Sequence, residues 1–274
     1  MENESTSLET PQDIDFLFEE LSHALARDEF FLVYQPTIDL QSNAFVGVEA
    51  LIRWRTTFRG VVGPEMFISE LERNGQIGAV GKWTLDTACQ QGADWHARGY
   101  RFAVSVNNSV KQLESATFVD DVSGALRMTR FDPALLVLEF SQGSLLRGGE
   151  STKNTIEQLK ALGIRIAVDD FTPGVSPLST LEQIPIDIVK LDRNFINGIS
   201  KSPQDVELVQ SLVQLGKTLN LLIVASGIED IDQRQRLEVK EIHFGQGFLF
   251  SAPREAEQID QFLEDFAIFS GRPL

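Results

Sequence analysis

Several polar residues fall where buried strands have little use for them. The apolar runs FAVSVN (102–107), LLVLEF (135–140), IRIAVDD (164–170) and IDIVK (186–190) close on or near Asn107, Glu139, Asp169 with Asp170, and Lys190. Gln246 sits at the end of EIHFGQG (241–247), and Glu49 stands between Val48 and Ala50 in an earlier apolar run. Carboxylates gathered in a small space cannot all stay ionised unless a cation neutralises them. A set of carboxylate and amide oxygens favours Mg²⁺, Mn²⁺ or Ca²⁺ over zinc. One acid at a strand end usually caps a helix or is solvated, and Asp170 taken alone fits either role. Convergence of the whole set points to a cation site. Other chemistries lack their residues: His23, His96 and His243 have no metal-ligand spacing, and neither a nucleophile elbow nor a phosphate-cradling glycine loop is present. Cys89 lies among apolar neighbours in TLDTACQQGADWHARG and reads as core.

The elements that must position these residues follow from periodicity. A short helix is expected from Asp13 to about Asp28, then two strand-like runs, FFLVYQPTIDL and AFVGVEALIRW, joined by the short turn Gln41-Ser42-Asn43. Beyond this hairpin, apolar runs alternate with amphipathic helices, with LLIVAS (221–226) and EIHFGQG the last of the runs. In one helix Ser202 caps, Pro203 takes the first turn, Asp205 adds a favourable charge, and Val206, Val209, Leu212, Val213 and Gly216 mark the buried stripe. The final helix repeats the pattern with Ile259, Phe262, Leu263 and Phe266. Such alternation implies a parallel sheet covered by helices. Six or more units fit a modified TIM (β/α)8-type barrel with an irregular, antiparallel first strand better than an open sheet. In a barrel the polar strand ends converge on the C-terminal mouth. Residues 1–12 read as a disordered acidic tail, and 13–274 as a single domain without a Pro- or Ser-rich linker.

Composition narrows the function further. The 274 residues carry 40 Asp and Glu against 24 Lys and Arg, a formal charge of −16. A broad phosphate-neutralising surface needs a basic face, so a nucleic-acid polymer is not an expected partner. A small anionic ligand remains compatible, because a few arginines or a metal reverse the sign locally. A single cysteine excludes an internal disulfide, the start MENESTSLETPQDID lacks the features of a signal peptide, and no apolar run approaches a membrane span. The expected location is the cytoplasm.

The motifs resemble those of the EAL-domain family of cyclic di-GMP phosphodiesterases. Glu49-Ala50-Leu51 lies in the setting YQPTIDL…GVEALIRW. The resemblance continues through SVNNS (105–109), LEFSQ (138–142), VDDF (168–171), IDIVKLDRNFI (186–196), ASGIE (225–229) and FGQGFLFSAP (244–253), and spans about residues 18–268 in family order. It implies hydrolysis of one phosphodiester of cyclic di-GMP by two divalent cations, Mg²⁺ or Mn²⁺, with Ca²⁺ as a non-productive occupant. Carried over by position, Glu49, Asn107, Glu139 and Asp169 would hold the first cation, Asp169 would bridge, and Asp170 would serve the second. Lys190 would orient or polarise the attacking water, with Glu229 and Gln246 supporting. Arg53 would meet a ligand phosphate, and Leu51 and Gln35 would line the guanine and backbone region.

The departures cluster around the second cation. Ser226 stands where the family has Glu in A-E-G-V-E, and Gln142 where it has the closing Glu of E-L-T-E, which anchors the loop after the paired aspartates. That loop reads D-D-F-G-T-G-Y-S-S in the family and Asp169-Asp170-Phe171-Thr172-Pro173-Gly174-Val175-Ser176-Pro177 here. Thr172 loses glycine's access to positive φ, and Pro173 pushes it out of the α region. The expectation is a degenerate domain that binds cyclic di-GMP, with its first cation site better preserved than its second, and that hydrolyses the nucleotide weakly or not at all. The alternatives are a working phosphodiesterase and a nucleotide-independent protein-interaction module. The family also implies a possible homodimer.

Overall fold

The computed structural model describes residues 19–57, 59–147, 149–172, 184–198, 203–239 and 242–270, without the side chains of 203–206, 239 and 266–270. The acidic tail, the start of the first helix, the Ser202 cap, the Asp205, Val206 and Phe266 side chains, and Pro173–Pro177 lie outside this description.

The described residues form nine strands: β1 (Phe30–Asp39), β2 (Phe45–Thr56), β3 (Gly60–Val62), β4 (Ala103–Asn108), β5 (Leu136–Ser141), β6 (Arg165–Phe171), β7 (Ile188–Leu191), β8 (Leu222–Ser226) and β9 (Phe244–Gln246). Eight close into a barrel in the order β1-β9-β8-β7-β6-β5-β4-β2, sealed by the β1–β2 pairing. All neighbours are parallel except β1, which runs antiparallel to both β2 and β9. The modified barrel with an irregular first strand is therefore the fold. The small strand β3, paired with β2 over Trp54–Thr56, was not expected, because three residues carry too little periodicity to register.

Burial explains why these runs become strands. β5 is buried from Leu136 to Phe140, as a strand walled by helices on one side and the barrel interior on the other must be. Val137, Ala167, Ile188 and Val224 form the inner layer, with Ala103 and Phe244 packed against it. The outer layer joins the strands to the surrounding helices, including Leu85, Ala88, Cys89 and Trp95 of the helix Ile77–Ala97. Cys89 is fully buried, and burial pushes its thiol up to about 12, so it is core rather than nucleophile. In the last helix, Ile259 and Leu263 are buried as the stripe required. A second cluster of Leu21, Phe30, Trp54, Phe67, Leu71 and Val80 braces the upper end of the β1–β2 ribbon. Glycine matters at position 47, where a Cβ would come 2.9 Å from the Ala103 carbonyl oxygen; β2 and β4 meet there without room for a side chain.

Candidate functional site

The mouth is assembled by register. Gln35 on β1 pairs with Glu49 on β2, Asn107 on β4 with Glu139 on β5, and Ser226 on β8 with Gln246 on β9. Glu49, Leu51 and Arg53 alternate along one face of β2, as period-two geometry demands. On β6 that alternation breaks. The ladder to β7 jumps between Val168 and Phe171, and Asp170 takes φ +53°, a left-handed conformation uncommon for a residue with a side chain. Adjacent residues in a regular strand face opposite ways; here both Asp169 and Asp170 line the same groove.

Lys190 occupies the centre. Its Nζ donates to Glu49 Oε2 at 2.8 Å and Glu139 Oε2 at 2.5 Å, and lies 3.6 Å from Asp169 Oδ1. Glu49 also accepts from Asn107 Nδ2 at 2.6 Å and Gln246 Nε2 at 2.9 Å. The Gln246 amide further donates to Gln35 Oε1 at 2.9 Å, and Gln35 Nε2 donates to the Ser251 carbonyl at 3.1 Å. Seven residues that the sequence singled out thus belong to one bonded network.

Its electrostatics are those of an overcrowded acid cluster. Burial works against Glu49 ionising, but Lys190 and the Asn107 and Gln246 bonds overcome it and hold the carboxyl below its ordinary range. Burial raises Glu139, against the pull of Lys190, and the charges of Glu49 and Asp169 add to it, up to about 8. Asp169 is raised chiefly by burial, and Asp170 by burial and then by Asp169 and Asp192. Burial would lower Lys190, yet the three surrounding carboxylates hold it well above its usual value. One ammonium cannot offset three carboxylates, so the cluster retains a proton unless a further cation arrives. Glu49, Glu139 and Asp169 each offer an oxygen within 4.8 Å of the other two, an arrangement that could hold a divalent ion.

Two grooves meet over this cluster and share Glu49, Leu51 and Asp169. The first, about 220 Å³, runs past Gln35, Asp170, Ser226, Glu229 and Phe248. The second, about 520 Å³, runs between Ile68, Val80 and Asn108 toward Arg147. Along the first groove the chemistry changes character. Glu229 forms an ion pair along this groove with Arg193, whose stem lies against Gly227 and whose guanidinium is 5.8 Å from the Phe248 ring centre. A Cβ at Gly227 would collide with that stem, and φ there is +75°, so glycine is required twice over. The Ser226 hydroxyl oxygen is buried with no hydrogen-bond partner among the described residues, and so is Gln142 Nε2.

Arg53 is less engaged than expected. It is half-buried, its Nη1 donates to the Ile52 carbonyl at 2.8 Å, Glu65 and Glu49 supply the opposing charge, and neither groove's lining includes it. Arg193, Phe248 and Arg147 were missed by sequence reasoning. Phe248 had one available signal, an aromatic directly after Gln246-Gly247 that is 61% exposed. The histidines stay outside the network: His96 Nε2 lies 3.3 Å from the Phe102 carbonyl oxygen, and its ring packs on Phe131.

Comparison with known proteins agrees with this geometry. The family model of the EAL domain matches residues 19–253. The bifunctional diguanylate cyclase/cyclic di-GMP phosphodiesterase MucR of Pseudomonas aeruginosa is 37% identical over 244 residues, covering 89% of this chain and 36% of that protein. The cyclic di-GMP phosphodiesterase NbdA of the same organism is 35% identical, covering 93% of this chain and 33% of its own length. The chain therefore spans about a third of these curated relatives. The solved structure of the PaMucR phosphodiesterase in complex with c-di-GMP superimposes with a TM-score of 0.85 at 37% identity, covering 89% of this chain and 99% of that one. No described helix is long and apolar enough to cross a membrane. The barrel with its reversed first strand, the polar strand ends in their order and the extent of the match give one conclusion: the chain belongs to the EAL-domain family.

Proposed function

We propose that this chain binds cyclic di-GMP across the barrel mouth, with Mg²⁺ or Mn²⁺ held by Glu49, Asn107, Glu139 and Asp169, and hydrolyses it weakly or not at all. A ligand with two bases joined through a phosphodiester ring suits two grooves that meet over an acidic centre, and the solved relative is a c-di-GMP complex. Gln35, Leu51 and Gln246, which line the first groove, face the ligand in this reading, and Arg53 would join them by leaving the Ile52 carbonyl. A bound cation would polarise a phosphoryl oxygen and acidify a water. In this reading Lys190, fixed by its carboxylates, would orient that water, with Glu229 in support.

Ser226 carries the argument against efficient turnover. It lines the first groove beside Asp170 and presents a neutral hydroxyl where a family carboxylate would help hold a second cation. Even outer-shell changes at metal sites cost about 10- to 100-fold in affinity or activity. The reading in which the chain is an active phosphodiesterase draws support from its relatives' names and from the complete first set. Calorimetric titration with cyclic di-GMP and Ca²⁺, paired with a linear-dinucleotide product assay in Mg²⁺ or Mn²⁺, separates the two. Tight binding without product is the expected result; multiple turnovers by the purified chain would sink it.

A further inference from the structure

The barrel interior holds a chamber below the acidic cluster. Its volume is about 100 Å³, and Glu139, Lys190 and Gln246 line its upper end. Lys190 and Gln246 also line the first groove, so their side chains form the partition between chamber and mouth. At the lower end, where the parallel strands begin, the lining passes through half-buried Val46 and Arg165 to Leu222, which is 38% exposed. The chamber therefore reaches solvent on the side opposite the mouth.

The sequence makes this space. Barrels of this class fill their interior with layers of bulky branched side chains. Val137, Ile188 and Val224 follow that rule. Gly47 and Ala103, paired across β2 and β4, and Ser105 two positions on, withhold the matching volume. Ala103 and Ser105 stay incompletely buried although they sit in the barrel wall.

Chemistry selects the occupant. Neither the Ser105 hydroxyl nor that of Thr37, which pairs with Gln246 across β1 and β9, bonds to a described residue. A hydroxyl facing a cavity without a partner costs free energy, and a buried carboxylate or ammonium costs more. An apolar guest would leave all of these groups unserved. Water needs two to four polar partners, which Ser105, Thr37 and the roof residues supply, and the volume takes on the order of three waters.

We propose that the chamber is a water-binding site that hydrates Lys190, Glu139 and Gln246 from beneath, separate from the mouth and open at the lower end of the barrel. It stands apart from the nucleotide reading, and gives the centre on which that reading depends a second supply of water.

The test is water–methyl cross-relaxation by NMR on the full chain with labelled Val and Ile methyls. In the free wild type the Val137, Ile188 and Val224 methyls should show contacts to long-lived water. Ile166 and Val168, fully buried on the outer face of β6, should show none. Ser105→Leu or Ala103→Leu, each checked for unchanged methyl signals away from the chamber, fills the space and should abolish the contacts. Silent chamber methyls in the wild type overturn the proposal in favour of a dry cavity, and so do contacts that persist unchanged in both filled variants. Cyclic di-GMP with Ca²⁺ should leave the wild-type contacts in place; their loss on nucleotide binding would mean that water enters from the mouth, and would overturn the lower opening. A chain that binds no cyclic di-GMP refutes the proposed function alone, since the free chain still decides the chamber.

Discussion

The two halves of the mouth are built to different standards. On one side Glu49, Glu139 and Lys190 are each less than a tenth exposed, and every carboxylate oxygen that meets Lys190 belongs to a strand of the barrel wall. On the other, Glu229 is 38% exposed and paired with Arg193, Asp170 is exposed, and the Ser226 oxygen has no partner among the described residues. Buried charges tied to one another hold a geometry before any ligand arrives, since each alternative leaves a charge uncompensated. Half-exposed groups on strand tips and loops carry no such penalty and can change with little effect on the fold. A site can therefore lose the second half of its chemistry and keep the first.

The sharpest way to break this contrast is to remove the shared cation. Lys190→Ala leaves Glu49, Glu139 and Asp169 buried together without an ammonium, and should cost about 3–5 kcal/mol of stability in metal-free buffer. Mg²⁺ or Ca²⁺ should return part of that loss, as urea unfolding with and without the ion would reveal. An identical loss in both conditions would mean that the carboxylates do not form a cation site.

A smaller effect is expected from pH. If Glu139 holds the proposed cation, binding needs it ionised, and burial pushes its carboxyl from an ordinary 4.5 up to about 8. Mn²⁺ affinity should climb from pH 6 to pH 8 by up to about tenfold per unit and then level off. The linked consequence has the opposite sign. A carboxyl raised by folding favours the native state while it stays protonated, so metal-free stability should fall as pH rises from about 4.5 through about 8. Glu139→Gln should flatten both profiles. A flat wild-type profile for Mn²⁺ would remove Glu139 from the cation's ligands.

The smallest change should come from repairing one position in the weaker half. If the proposed impairment is right, Ser226→Glu alone should raise hydrolysis by less than about tenfold, because Gln142 stays as it is. Recovery to the level of an active relative in the product assay would show that any impairment rests on a single side chain and that the two halves are more alike than they look.

What could be read beforehand divides along the same line. Asn107, Glu139, Asp169 and Lys190 were legible because an apolar strand ending in a polar group stands out, and the barrel brings such ends together. Their bonding was not legible, since nothing in spacing says that Lys190 reaches across to Glu49, 141 positions earlier. Arg193, Phe248 and Arg147 escaped notice because exposed residues at helix starts, helix ends and loops obey no periodicity. Arg53 shows the converse: its type and spacing marked it correctly as a neighbour of Leu51, but not that its guanidinium would turn back on its own backbone.

The reversed first strand sets the direction from which the chain reaches its own site. Because β1 is antiparallel to β2, Phe30 lies opposite Trp54, toward the upper end of β2, and the chain descends past Tyr34 and Gln35 toward Asp39. In an all-parallel barrel the first strand would enter from below, remote from the chemistry. Here the helical segment over residues 19–24 approaches from the same end as the mouth, and Leu21 and Ala24 pack against Phe30 and Trp54 in one cluster. A shift in that segment is one strand's pairing away from Leu51 and Gln35. The entry of the chain and the floor of the first groove are thus neighbours, with the Phe30–Trp54 contact packed between them.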